Sequence, residues 1–151
     1  MGIFHLSTGR DGRVRSAVPV TLRPAQPHDL DAIARIQGRS SWNPAEYLNF
    51  DCRVAEEFGA VVAFLASRET APGEREILFI AVDPAERRRG IAKRLLQHEL
   101  RRAPGEWFLE VRESNLAAIR LYESTGFRAI GRRENYYSEP CESAIVMRFF
   151  S

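Results

Sequence analysis

The sequence predicts a mixed α/β (α+β) domain in which a mostly antiparallel sheet with one central parallel junction is flanked by helices. An apolar run over 76–82 stops at Asp83-Pro84 and indicates a buried central strand. An amphipathic stretch over 90–102 follows, and 107–111 forms the next apolar strand. A strand, a helix and a strand in this order form a right-handed crossover that places the two strands in parallel.

The segment before this crossover predicts shorter elements. Residues 1–18 are rich in Gly, Arg and Ser without a sustained period, so we expect a flexible extension there and a single domain over 19–151. The expected elements are a strand at 20–23, a helix at 28–37, a helical turn at 45–49 and a hairpin of strands at 52–56 and 60–68.

The segment after the crossover predicts one more helix and two strands. The helix covers 115–125, is capped by Ser114 or Asn115, and ends at Gly126. The strands at 127–134 and 144–149 are expected to pair antiparallel, which completes the sheet.

Composition excludes several function classes. The chain has 151 residues, 44% of them apolar, and a formal net charge of +2, which is too small for a dedicated nucleic-acid binder. No apolar run is long enough to span a bilayer, and the N-terminus lacks the order of a signal peptide, so we expect a cytoplasmic protein without membrane contact. His5, His28 and His98 have no ligand spacing, and no metal is expected.

The turn before the predicted helix at 90–102 carries an arginine-rich motif. Arg87, Arg88 and Arg89 precede Gly90, and Lys93 follows within the first helical turn. The free backbone N–H groups of a helix start attract a pyrophosphate, and small residues let it approach. From the residues alone, a phosphate site and a solvated arginine run before a helix both remain open.

The motif Arg-x-x-Gly-x-Ala at 87–92 resembles the signature of the GNAT acetyltransferase superfamily, and the resemblance is dense over 77–147. It continues through Ser114-Asn115, Leu121-Tyr122 and Gly126-Phe127, and these motifs follow one another in the same order as in the Rim-type enzymes. The Rim-type enzymes acetylate the N-terminal alanine of a small-subunit ribosomal protein. The resemblance implies acetyl-CoA as co-substrate, with pantetheine along the backbone of 80–82 and Val82 N–H at the oxyanion. The implied cofactor-binding residues are Ile80, Ala81, Val82, Arg87, Arg88, Arg89, Gly90, Ile91, Ala92, Lys93 and Asn115.

Two residues match the catalytic positions of this family. Glu110 lies inside an apolar strand, where a carboxylate is costly without a partner or a role, and the resemblance makes it the general base. A salt bridge or a solvent-facing position is the alternative. Tyr122 has the spacing of a core aromatic, and the resemblance instead makes it the general acid that protonates the CoA thiolate.

The acceptor is expected to be a protein or peptide N-terminus, such as that of a ribosomal protein, bound by a monomer or weak dimer without direct nucleic-acid contact. The resemblance implies that four aromatic residues contact this substrate: Trp42, Tyr47, Tyr136 and Tyr137. Two alternatives remain open: a GNAT enzyme acting on a small amine or on lysine, and a non-enzymatic RNA- or ribosome-binding module using the arginines at 87–89, 101–102 and 132–133.

Overall fold

The computed structural model describes residues 20–40 and 42–150, together with the backbone of two short strands nearer the N-terminus. These two, β1 (Leu6–Thr8) and β2 (Val14–Ser16), pair antiparallel as a separate two-stranded sheet. The rest of the extension predicted over 1–18 lies outside the described residues. The main sheet has seven strands in the order β3-β4-β5-β6-β7-β9-β8. Its strands are β3 (Thr21–Pro24), β4 (Asp51–Glu57), β5 (Ala60–Ala71), β6 (Glu74–Val82), β7 (Glu106–Arg112), β8 (Arg128–Tyr137) and β9 (Glu142–Phe150).

Three α-helices flank the sheet, as predicted. They are α1 (Leu30–Gln37), α2 (Ile91–Arg102) and α3 (Leu116–Ser124), and a 3-10 segment, Pro44–Asn49, follows α1. Asn115 caps α3 by accepting a hydrogen bond from the Ala118 N–H, and Gly126 follows the helix with φ 106°. The predicted cap and stop of this helix are therefore both present in the structure.

β6 and β7 form the parallel junction, but they pair over three residue pairs only. Glu74 pairs with Glu106, Arg75 with Trp107 and Glu76 with Phe108, and the register ends there. Beyond Glu76 and Phe108, the two strands are no longer paired with each other. The strand is central, as predicted, but less buried than predicted, because only Ile77 of β6 is buried and its other residues are half-buried. Its C-terminal part, past Glu76, borders an open slot.

Two apolar clusters cover the two faces of the sheet. The first lies under α2 and α3 and contains Leu95 and Leu96 with Trp107, Leu109 and Val111 of β7. Alternate residues of a strand point to opposite faces, so Phe108 and Glu110 project to the other side. The second cluster lies on that other side, beneath α1, but only at the β4–β6 half of the sheet. The face formed by β7, β9 and β8 is left without a helix among the described residues.

The apolar face of α2 contains one charged residue that the sequence pattern did not reveal. Glu99 is completely buried and accepts a hydrogen bond of 2.8 Å from Arg53 Nε on β4. Arg102 binds the same carboxylate at 2.6 Å and also pairs with Asp51. This network ties α2, and with it the turn at its N-terminus, to the sheet.

β9 lies between β7 and β8 and completes the second half of the sheet. Both of its pairings are antiparallel, as predicted for the last two strands. β8 is longer than the predicted strand at 127–134 because it resumes after an irregularity between Arg133 and Tyr137, where Asn135 takes a φ of 51°. This irregularity turns Tyr136 and Tyr137 toward neighbouring charged side chains.

Candidate active site

The turn between β6 and α2 presents free backbone donors at a helix start. The first intrahelical bond of α2 runs from the Arg94 N–H to the Gly90 carbonyl at 3.0 Å, so the N–H groups of Ile91, Ala92 and Lys93 are not used within the helix. Gly90 has φ 74°, and a Cβ built there meets no atom within 4 Å. The space above these N–H groups is therefore open, and it fits a pyrophosphate.

The three arginines of this turn differ in their partners. Arg89 donates to Glu57 at 2.9 Å and also pairs with Glu86, so its guanidinium is held against the sheet. Arg87 and Arg88 are exposed and make no hydrogen bond or ion pair with a side chain of the described residues. Arg87 and Arg88 are therefore available to a bound phosphate, whereas Arg89 fastens the turn to the sheet.

The slot between β6 and β7 lies next to this turn. On one side, Ile80, Ala81 and Val82 pair with β5, opposite Leu65, Phe64 and Ala63. Within the part of the chain that the structure describes, their other edge has no strand partner, because the pairing with β7 ends at Glu76. A strand edge with free N–H and C=O groups can bind an extended amide chain in the way an added strand would.

Glu110 lies on β7 past the point of divergence, on the sheet face that carries no helix. Its side chain is 17% exposed, and its Oε1 lies 3.2 Å from Nε of Arg133 on β8. Glu110 lines a cavity of about 260 Å³ together with Phe108, Val146 and Arg133. The carboxylate is therefore accessible to a bound molecule, and it also has the salt-bridge partner that the alternative interpretation required.

Tyr122 lies on α3, on the opposite side of the sheet. Its side chain is 7% exposed and packs edge-on against Phe127, with ring centroids 5.8 Å apart. Burial raises the pKa of Tyr122 well above that of a free phenol, and nearby Tyr137 adds to the rise. The phenol is therefore protonated at neutral pH. Asn115 at the start of the same helix uses its side-chain oxygen for the cap.

Of the four aromatic residues expected to contact substrate, Tyr47 is the most enclosed. It is completely buried among Trp42, Phe64 and Phe79, with ring centroids 5.5 Å, 5.1 Å and 5.9 Å away. Trp42 stacks on it and is partly exposed, so Trp42 is the member of this pair that a ligand can reach.

Tyr136 and Tyr137 follow the irregularity in β8 and surround Glu110. A hydrogen-bonding interaction with Glu110 raises the pKa of Tyr136 to about 12. Burial is the main cause that raises the pKa of Tyr137, and the negative charge of nearby Glu110 raises it further. Tyr137 is thus near both Glu110 and Tyr122, and it also lies under the Arg112 guanidinium at 4.4 Å. Both tyrosines are among the residues predicted for the site, and Arg133 is named only in the RNA-binding alternative, since no local pattern shows that it reaches across β9 to Glu110.

A comparison with known protein families identifies the family of this chain. Residues 21–127 match the model of the acetyltransferase (GNAT) family, which is well over half of the chain. The chain belongs to the GNAT acetyltransferase family. The predicted fold is confirmed along with the family, and so is the prediction of an acetyl-CoA-dependent N-acetyltransferase.

Several relatives of this GNAT chain are similar to it over most of its length. The [ribosomal protein bS18]-alanine N-acetyltransferase of Escherichia coli K12 is 34% identical over 141 residues, which cover 84% of this chain and 95% of that protein. The crystal structure of the Escherichia coli enzyme superposes with a TM-score of 0.77 at 29% identity, covering 87% of this chain and 93% of the other. An uncharacterized protein of Mycobacterium leprae is 34% identical over 145 residues, and this chain spans 40% of its length.

Two further observations concern membranes and metals. Among residues 20–40 and 42–150, no helix is long and apolar enough to cross a membrane. The same described residues contain no group of three or more His, Cys, Asp or Glu side chains placed to hold a metal ion.

Proposed function

We propose that this GNAT enzyme transfers the acetyl group of acetyl-CoA to a protein N-terminal α-amine, such as the N-terminal alanine of a small-subunit ribosomal protein, in the cytoplasm. The similar Escherichia coli enzyme is named for that acceptor, ribosomal protein bS18. The observation that carries the proposal is the slot between β6 and β7, which has an accessible carboxylate on one side of the sheet and a buried phenol on the other.

The chain's own groups fit acetyl-CoA. The free N–H groups of Ile91, Ala92 and Lys93 and the open space above Gly90 would receive the pyrophosphate, with Arg87 and Arg88 beside it. The unpaired edge of β6 at 80–82 would bind the pantetheine amides. In this placement the thioester lies in the slot, and we assign oxyanion stabilisation to the Val82 N–H.

Glu110 would act as the general base. The acceptor nitrogen attacks the thioester carbonyl, the C–S bond breaks, and the nitrogen loses one proton to the Glu110 carboxylate, directly or through one water. An α-amine has a pKa of about 7.7–8.0, compared with about 10.4 for a lysine side chain. A carboxylate is a modest base, so the α-amine is the acceptor that suits it.

Tyr122 would act as the general acid. Its O–H donates a proton to the departing thiolate, and the phenolate is then reprotonated from solvent. The raised pKa of Tyr122 keeps the proton in place until the thiolate forms. A thiolate expelled into the same buried surroundings also has a raised proton affinity, because burial disfavours the anion.

The test is an acceptor comparison with purified protein and acetyl-CoA. A peptide with a free N-terminal alanine, the same peptide with a blocked N-terminus and one lysine, and a panel of small amines are assayed for thiol release and by mass spectrometry. The proposal predicts acetylation of the free N-terminus at least tenfold faster than of the other acceptors. Faster turnover of lysine or of a small amine would instead identify a different acceptor.

A further inference from the structure

Arg133 is the only cationic side chain, within the described part of the chain, that lines the cavity around Glu110. It starts from β8 and reaches diagonally across β9. The residues directly in line with Glu110 across the sheet are Val146 on β9 and, beyond it, Gly131 on β8. Gly131 has no side chain, so this position on β8 contributes no group to cover the carboxylate. Arg133 is 59% exposed and lies 3.2 Å from Glu110, so it contacts the candidate base from the open side.

Tyr136 holds Arg133 in this position. The Arg133 guanidinium lies 5.6 Å from the centre of the Tyr136 ring, a cation–π contact. Tyr136 also interacts with the Glu110 carboxylate. The base is therefore approached by a guanidinium and a phenol from the same strand, and any acceptor amine has to share the carboxylate with them.

The other charged residues that line this cavity are acidic. Glu74 and Glu76 of β6 line the same cavity. Thr70 donates to Glu74 at 2.9 Å, and Arg68 pairs with Glu76 at 2.8 Å from outside the cavity lining. Tyr137 also lies near Glu110, and the guanidinium of Arg112, which is not among the residues lining the cavity, lies over the Tyr137 ring. Among the described residues, Arg133 is thus the cation in direct contact with Glu110, and the other charges that line the cavity, Glu74 and Glu76, are acidic.

An unneutralised carboxylate creates a problem for amine acetylation. It attracts the acceptor as an ammonium ion, which has no lone pair and cannot attack the thioester. A cation 4–6 Å from the bound amine opposes this by favouring the neutral form. We propose that Arg133 is a positioning residue that neutralises Glu110, so that the acceptor binds as the free amine and protonated amines, lysine side chains above all, are rejected.

This inference rests on the function proposed above and names the selection step at the same site. Arg132 provides the matched control, because it is the neighbouring residue on the same strand with similar exposure. It pairs with Glu113 and Glu134 instead of Glu110. Arg133→Lys keeps the charge, and Arg133→Gln removes it.

The experiment measures kcat and KM for the alanine peptide between pH 6 and 9 in wild type, Arg133→Gln, Arg133→Lys and Arg132→Gln. In Arg133→Gln the rise of kcat with pH should move up by about 0.5–1 unit. At pH 7 both kcat and KM should then fall about three- to tenfold, because the peptide binds tightly as the unreactive ammonium. All four proteins should converge at pH 9. A blocked peptide with one lysine should inhibit Arg133→Gln about three- to tenfold more strongly than wild type.

Two results overturn the inference. One is an Arg133→Gln enzyme whose kcat and KM at pH 7 match those of wild type. The other is a raised KM with unchanged kcat, which indicates a lost binding contact only. A wild-type protein that acetylates no N-terminus would refute the proposed function itself, and this is distinguishable because the failure then occurs before any variant is compared.

Discussion

Replacing the buried Glu99 on α2 by Gln should destabilise the protein much more than replacing an exposed glutamate. Glu99 is completely buried, and its partner Arg53 is only 11% exposed. Removing one member of a buried ion pair typically costs about 3–5 kcal/mol, because the other charge stays buried without compensation. We expect about 3 kcal/mol for Glu99→Gln, since the amide oxygen still accepts a hydrogen bond. For a chain of this size, that lowers Tm by about 6–12 °C.

The control is Glu76→Gln, which breaks the pair with Arg68. That pair is 28% and 49% exposed, and such pairs contribute about 0–1 kcal/mol. Urea and thermal denaturation followed by circular dichroism measure both variants against wild type. Equal losses of unfolding free energy in the two variants would refute the reasoning.

The same comparison has a pH dependence with a definite sign. Burial by itself raises the pKa of Glu99, but the hydrogen bonds and charges of Arg102 and Arg53 outweigh it and lower the pKa. A carboxylate with a lowered folded-state pKa stabilises the protein above its unfolded pKa of about 4.3. The advantage of wild type over Glu99→Gln should therefore be complete above about pH 5 and shrink as the pH falls below about 4. A gap that stays constant down to pH 3 would contradict this assignment.

Further substitutions test the proposed active site. Tyr122→Phe should lower kcat about 10²-fold or more with little change in acetyl-CoA affinity, measured by isothermal titration calorimetry; loss of affinity would place Tyr122 in binding instead. Glu110→Gln should lower kcat by a similar factor in the peptide assay, again with intact cofactor binding. Gly90→Glu should abolish acetyl-CoA binding, because the new carboxylate occupies the space above the free N–H groups; thermal stabilisation by acetyl-CoA should disappear. Glu57→Gln should release Arg89 and weaken acetyl-CoA binding a few-fold in the same titration, whereas unchanged affinity would show that the turn is rigid without this pair.

Much of the fold could be predicted because its signals are local. The crossover from β6 through α2 to β7 follows from apolar periodicity, and the cap at Asn115 and the stop at Gly126 follow from residue type. The divergence of β6 from β7 could not be predicted, because strand pairing depends on residues that are distant in sequence. The apolar run over 76–82 has the composition of a buried strand, although one edge of it faces a slot.

The residues of the candidate site also divide into those with a local sequence signal and those without one. The turn over 87–92 has a recognisable motif, and Glu110 is conspicuous as a carboxylate inside an apolar strand. The spacing of Tyr122 alone predicts a core aromatic, so its proposed role follows from the family resemblance only. Glu99 lies three and four residues after Leu96 and Leu95 on the apolar face of α2, but its partner Arg53 is on a distant strand and leaves no local pattern. The contact between Arg133 and Glu110 has no signal in the sequence, because it crosses β9 and depends on the register of three strands.

The position of β9 between β7 and β8 has a consequence for synthesis on the ribosome. β3 to β6 can pair with one another as soon as they emerge, since each lies next to its sequence neighbour. β7 gains its second neighbour only when β9 has been translated, after α3 and β8. Pairings between distant segments form late, so the strand that carries Glu110 would stay open at one edge from its own synthesis until β9 has emerged. A nascent chain halted before Glu142 would contain the motif of the acetyl-CoA turn and yet be unable to assemble the acceptor side.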